Sequence, residues 1–576
     1  MENLIVAKLN PARVPFFASV FLCVFFAACD SPSSDHQGAT FHWFEYQGND
    51  EFYNNHSPGE NEYFNPILSG FYPDPSICRK GDDYYMVNST FSFFPGVPIF
   101  HSTDLVNWKQ LGYVLDRPSQ LNITSHGISE GIFAPAISYN PHNELFYMVT
   151  TFVGGMGNFY VTAEDPAGPW SDPVPLPHIP GIDPSFFFDE DGRAWLVHNA
   201  GPEGEPLYDG HRAIWIQQFD YEKERMVGER KMIVNGGNDI SEKPIWIEGP
   251  HIYKVNGYYY LMAAEGGTGE NHSEVIFRSH DIKGPYIPYQ NNPILTQREL
   301  PPSRSHPVTS TGHADLVQTP GGKWWSVFLG CRPYQGNHYN TGRETFLLPV
   351  AWENGWPEIL KDGQEVPLIA TAPHAVRDSS SAYFPSGNFR IRDVFSGDSL
   401  NLYWNFIRTP REKWYNLTED GLQIDYRAVS FREKENPAFI GRRQRHQSFS
   451  ASTAVTLDTE TTDNRAGMLI FRTEGHNYFL GVQPENGHLV AFVEKTTQRN
   501  GQPEKKRLAI KKTNLTPGET IYLKVKCDKD VIDFLISRDQ KNWEYLAESQ
   551  DATYLSTETA GGFVGTYVGM YAGKKK

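Results

Sequence analysis

Three carboxylates in nearly apolar surroundings are the residues of this 576-residue chain best suited to chemistry. They are Asp74 in Tyr72-Pro-Asp-Pro-Ser-Ile, Asp183 in Ile182-Asp-Pro-Ser-Phe and Glu248 in Ile247-Glu-Gly-Pro-His. Each sits beside Pro or Gly among aromatic residues rather than in a charged run. Such surroundings desolvate a carboxyl group and raise its pKa, as a general acid working near neutral pH requires. Splitting a glycosidic bond needs one carboxyl to protonate the leaving oxygen and a second, across the sugar, to activate water or to attack. A lone Asp-Pro-Ser is equally a turn, in which the Asp side chain bonds amides two residues on. Two copies and a Glu-Gly-Pro in register across a repeat exceed what turn formation explains.

The repeat that positions these acids is legible in the text of the chain. Segments opening at Asp74, Ala134, Asp183, Glu248 and His313 share a plan: a small or acidic motif opens a strand, a polar turn follows, and an aromatic-rich strand returns. The openings recur about every 50 to 65 residues, the length of one four-stranded blade. The spacing predicts an all-β chain with a five-bladed β-propeller over residues 61–372. In a propeller, equivalent positions of every innermost strand converge at one end of the central channel, so acids distant in sequence can meet. After Ser379-Ser-Ser-Ala the repeat stops, and short strand-like runs over 385–576 predict a β-sandwich of jelly-roll type. That domain is expected to brace the propeller and lend a loop to the pocket rim.

Composition narrows the class of ligand. With 51 Lys and Arg against 68 Asp and Glu, a formal charge of −17 argues against a nucleic-acid partner, which clustered cations would have to neutralise. The N-terminus carries Lys8 and Arg13, then an apolar run from Phe16 to Ala28 that is shorter than a membrane span, then Cys29. That pattern predicts a signal peptide over 1–29. Cys29, followed by Asp30, Ser31 and Ser33, is the expected site of a lipid anchor, with residues 30–60 as its tether. The implied location is the periplasm or outer membrane of a bacterium. Beyond Cys23 and Cys29 only Cys78, Cys331 and Cys527 remain, too few and too scattered for a disulfide framework or a Cys-rich metal site.

Six ordered motifs carry a family resemblance. Gly70-Phe-Tyr-Pro-Asp-Pro-Ser-Ile, Ser89-Thr-Phe-Ser-Phe-Phe-Pro-Gly-Val-Pro-Ile, Leu105-Val-Asn-Trp, Ile182-Asp-Pro-Ser, Ile247-Glu-Gly-Pro-His and Gly342-Arg-Glu-Thr-Phe closely resemble glycoside hydrolase family 43. That family holds β-xylosidases, α-L-arabinofuranosidases and arabinanases. The resemblance runs from about residue 64 into the sandwich, including Tyr403-Trp-Asn-Phe-Ile-Arg-Thr-Pro. It implies Asp74 as the general base, Glu248 as the general acid and Asp183 as the carboxylate that tunes the acid and orients the substrate. It also implies inversion at the anomeric carbon, Arg343 on sugar hydroxyls, Phe91 and Phe133 lining the sugar pocket, and His313 on the channel axis. No cofactor is required for that chemistry, and a structural calcium near His313 remains open.

One departure bears on specificity. Many β-xylosidases of the family have Trp-Ala-Pro-His at the second blade, where this chain has Phe133-Ala-Pro-Ala136. Loss of the indole and imidazole tilts the expectation toward release of terminal α-L-arabinofuranosyl groups from plant cell-wall polysaccharide, with β-D-xylosidase as the alternative. From another class, a non-catalytic glycan-binding lipoprotein would have no need of an acid and base pair. The chain also stops at Met570-Tyr-Ala-Gly-Lys-Lys-Lys576, where relatives commonly continue into a last strand.

Overall fold

A computed structural model describes residues 38–373, 384–499 and 501–575. The predicted signal peptide and Cys29 lie outside the described residues. The chain is all-β: the α-helices among the described residues are single short turns, Glu51–Asn55 and Thr557–Ala560.

Five antiparallel sheets form the blades, and within each the chain meanders outward strand by strand. Their innermost strands are Ser76–Lys80, Gly131–Asn140, Ile182–Phe188, Glu248–Val255 and Thr309–Gln318. These five pack side by side in a closed ring about the axis. Glu62–Phe64 pairs with Ile369–Thr371, tying together the two ends of the propeller segment. Between blades the core is aromatic: Tyr147, Tyr160, Phe186 and Phe219 interlock at centroid distances of 4.7–6.5 Å. Such offset and edge-on pairs add to the apolar area they bury.

The sandwich is two eight-stranded sheets. One of them corrects the expected tether. Residues 30–60 are not all linker, because Gly38–Gly48 runs between Gly421–Asp425 and Ser448–Leu457 and pairs with both. Ala39, Phe41, Phe44 and Tyr46 are buried in the sandwich core. A bulge between Phe41 and Trp43 breaks the simple alternation of that strand, which hides it in the sequence. The second sheet takes Phe93–Phe94 from the first blade as an edge strand on Asn405–Ile407. Tyr567–Lys574 lies inside that sheet, between Phe439–Arg443 and Asn464–Thr473. Cys78, Cys331 and Cys527 are free thiols.

Candidate active site

Four of the five innermost strands bulge near the same end of the channel. Pairing skips from Phe133 to Ala136, from Ile182 to Ser185, from Glu248 to His251 and from Gly312 to Asp315. The residues placed just inside the bulge are Ala134, Asp183, Gly249 and His313, and in the first blade Asp74 precedes the strand at Ser76. Asp74, Asp183, Gly249 and His313 have φ of 51°, 55°, 58° and 50°, a left-handed backbone held by the surrounding ring.

This register corrects the simple repeat. Glu248 is not the equivalent of Asp74 and Asp183; it precedes that position by one residue and matches Ile182 and Phe133. The physical reason lies at Gly249, where an added Cβ would come within 2.9 Å of the His313 ring. On the fourth blade the axial slot belongs to that ring, and the acid stands one residue nearer the mouth.

Asp74, Asp183, Glu248, Arg343, His313, Phe91 and Phe133 all line one cavity of about 340 Å³. Every sequence-predicted site residue among the described residues is therefore brought together. Trp246, Thr268 and Phe563, which sequence reasoning missed, line it too. Trp246 stands two residues before Glu248, a proximity that could have flagged it. Phe563 comes from the sandwich, and no local signal links it to the blades. Its N–H donates to Ser129 Oγ at 3.0 Å, and its ring stacks on Phe91 at 5.8 Å and meets Phe133 edge-on at the same distance.

The three acids have different surroundings. Asp74 accepts from Arg343 through both terminal nitrogens, at 2.7 and 3.4 Å, and from Ser89 Oγ at 2.6 Å. Arg343 does not pair with the adjacent Glu344, which is taken by Arg332 at 2.7 Å. The Arg343 guanidinium also lies beside the stacked Phe91 and Phe563 rings, at 5.6 and 5.7 Å, and donates to Thr268 Oγ1. Asp183 accepts one amide, from Gly249 at 3.2 Å. Burial, then the charge of Asp74, pushes the Asp183 carboxyl up to about 7. Glu248 makes no hydrogen bond among the described residues, and burial followed by the charges of Asp183 and Asp74 raises it well above the usual carboxylate range. Burial lowers His313 to about 4, leaving it neutral at neutral pH.

Ala136 is not in the pocket wall. It lines a constriction farther down the axis with Ser76, Ser185, His251 and His313. Of the two residues that set this blade apart from many β-xylosidases, only Phe133 faces the sugar pocket. Calcium takes six to eight oxygen ligands. No group of three or more His, Cys, Asp or Glu among the described residues could hold a metal ion. Asp315, near His313, is engaged by Ser76, Ile77, Leu316 and Tyr253.

Comparison with known proteins places both domains in a family. The model described as "Glycosyl hydrolases family 43" matches residues 63–357, and that of a "Beta xylosidase C-terminal Concanavalin A-like domain" matches 392–576. A Butyrivibrio fibrisolvens protein named xylosidase/arabinosidase is 38% identical over 88% of this chain and 95% of its own. A Bacteroides ovatus protein named non-reducing end alpha-L-arabinofuranosidase is 37% identical over 90% of this chain and 92% of its own. The crystal structure of a GH43_12 protein from a capybara gut metagenome superposes with a TM-score of 0.88 at 45% identity, covering 93% of this chain and all of the other.

Proposed function

The chain belongs to glycoside hydrolase family 43, and on that premise we propose that it releases terminal α-L-arabinofuranosyl groups with inversion, acting on plant cell-wall oligosaccharides and polysaccharides. That it is a glycoside hydrolase of the arabinofuranosidase and xylosidase kind follows from its family and relatives. The finer reading rests on one observation: three acids on an axial floor, in a pocket of about 340 Å³ walled by Phe91, Phe133 and Phe563. This volume is at the small end for ligand sites and suits a terminal sugar better than a chain running through.

In this reading Glu248, kept protonated by burial and by two neighbouring acids, donates its proton to the leaving oxygen. Asp74, aligned by Arg343 and Ser89, accepts a proton from the attacking water on the opposite face. Inversion requires such a pair of carboxyls to stand roughly 6.5 to 9.5 Å apart, so that water fits between them and the sugar. Asp183 sustains the raised pKa of Glu248 through its charge and orients the sugar. Arg343 takes sugar hydroxyls with whatever donors Asp74 leaves free, and the rings cover the apolar sugar face.

β-D-Xylosidase activity is the second reading, favoured by a relative named for both activities. Initial rates on the 4-nitrophenyl glycosides of α-L-arabinofuranose and β-D-xylose decide between them. Preference for the arabinofuranoside is expected; a higher kcat/KM on the xyloside reverses the assignment, and no turnover of either glycoside or of natural oligosaccharides returns the protein to a binding role. We also infer export and lipid attachment at Cys29 from the charged start and apolar run before it. Cys29→Ser is expected to move the protein from the detergent phase to the aqueous phase, and unchanged partition rejects the anchor.

A further inference from the structure

A second cavity, of about 290 Å³, lies where the first blade meets the sandwich. Tyr72, Phe384 and Tyr403 contribute to its wall together with Arg442, Arg443 and Arg445. Among the described residues no Asp or Glu lines it. The three arginines are 2%, 2% and 4% exposed, and none forms an ion pair among the described residues. Buried charges are ordinarily paired, because removing an unpaired ion from water costs several kcal/mol.

Arg442 is the clearest case. It makes no hydrogen bond among the described residues, and its Nε is enclosed without a partner. Its guanidinium is held between Tyr46 and Tyr403, each 4.7 Å away, which fixes its plane and leaves its N–H edge uncommitted. The nearby Asp393 is occupied by Asn401, Tyr403, Trp404 and the Phe395 amide. Arg445 binds Ser69 and the Pro385 carbonyl through Nε and Nη2, and its Nη1 has no hydrogen bond among the described residues. Arg443 donates to Phe71 O at 2.7 Å and Asn405 Oδ1 at 2.8 Å, while its Nη2 is enclosed without a partner. Burial and the neighbouring Arg442 both work against a charge on Arg445, yet arginine does not shed its proton in proteins.

We propose that this cavity is a binding site for a small oxyanion of the phosphate, sulfate or carboxylate class, gripped by the free N–H edges of Arg442 and Arg445. A planar guanidinium fork matches two oxygens of such a group. The site touches the machinery without belonging to it: Arg443 grips the carbonyl of Phe71 and lies 4.3 Å over the Tyr72 ring, two residues before Asp74.

Isothermal titration of the full chain with inorganic phosphate, sulfate and glucuronate, in a chloride buffer, tests the proposal. We expect one-site binding of at least one of the three, loss of that binding in Arg442→Met, and at least tenfold weakening in Arg442→Lys, which keeps the charge and loses the fork. The 4-nitrophenyl glycoside rates of these variants should match those of the parent. Phosphate or sulfate alone binding points to an inorganic ion, and glucuronate binding to the uronic acid of a glycan. No heat from any of the three on the parent chain overturns the proposal. So does binding that survives both substitutions, or binding that inhibits hydrolysis competitively with an inhibition constant equal to its Kd, which would place the anion on Arg343. Failure of a variant to fold leaves the parent titration decisive.

Discussion

The two sides of the pocket use the same side-chain chemistry and opposite environments. Asp74 is supplied with donors from Arg343 and Ser89, so a carboxylate there is solvated by the protein. Glu248 receives none and is instead pressed by burial and by two like charges. Charge-assisted donors favour an ionised acid, whereas desolvation and neighbouring anions favour a protonated one. One carboxyl is equipped to take a proton and the other to keep one. The difference arises from a one-residue offset in a repeated strand, since Gly249 and not Glu248 occupies the level of Asp74.

The largest effect should come from Asp74→Asn, which removes the proposed base while keeping the volume. We expect kcat to fall by about 10³-fold or more on every substrate, since positioned proton transfer contributes about 10² to 10⁴. Glu248→Gln should separate the two sides. On xylan- or arabinan-derived oligosaccharides its loss should be of similar size, while on 4-nitrophenyl glycosides, whose leaving group needs little protonation, it should be at least tenfold smaller. Equal losses on both substrate types for both variants would erase the distinction between base and acid.

The pH dependence sharpens the comparison further. Glu248 and Asp183 hold their protons above the range in which the unfolded chain, with carboxyls near 4, has lost them. Both therefore contribute stability that is fully present below about pH 4 and is lost as pH rises through the folded values, about 7 for Asp183. Glu248→Gln should accordingly raise Tm at pH 8 and do so much less at pH 4. Asp183→Asn removes a negative neighbour of Glu248 and should shift the alkaline limb of the kcat profile toward lower pH. A limb that stays in place would show that Asp183 orients the sugar without tuning the acid.

Much of this arrangement could be read from the sequence because the propeller repeats itself. Aromatic strands returning from Asp74, Asp183 and Glu248 announced both the blades and the convergence of the acids. Three features were hidden for three reasons. The offset at Gly249 depends on the His313 ring packing against a missing Cβ, a contact across 64 positions of sequence. The strand Gly38–Gly48 is disguised by its bulge and by a partner strand that lies more than 400 residues away. Phe563 belongs to the sandwich by sequence and to the pocket by position.

Phe563 yields the smallest of these effects and the one that links the two domains. It is 39% exposed, so its ring is not a full part of the core, but it covers Arg343 and stacks on Phe91 at the pocket wall. Truncation to Ala should therefore leave the fold largely intact and open the wall at the level of the sugar. Loss of part of an aromatic contact is worth about 1 to 2 kcal/mol, or roughly five- to thirtyfold. If the ring acts mainly on the bound sugar, the loss should fall on KM with kcat nearly unchanged. Should kcat fall instead while KM holds, the ring acts through Arg343, and the sandwich serves the base side of the pocket as directly as Ser89 does.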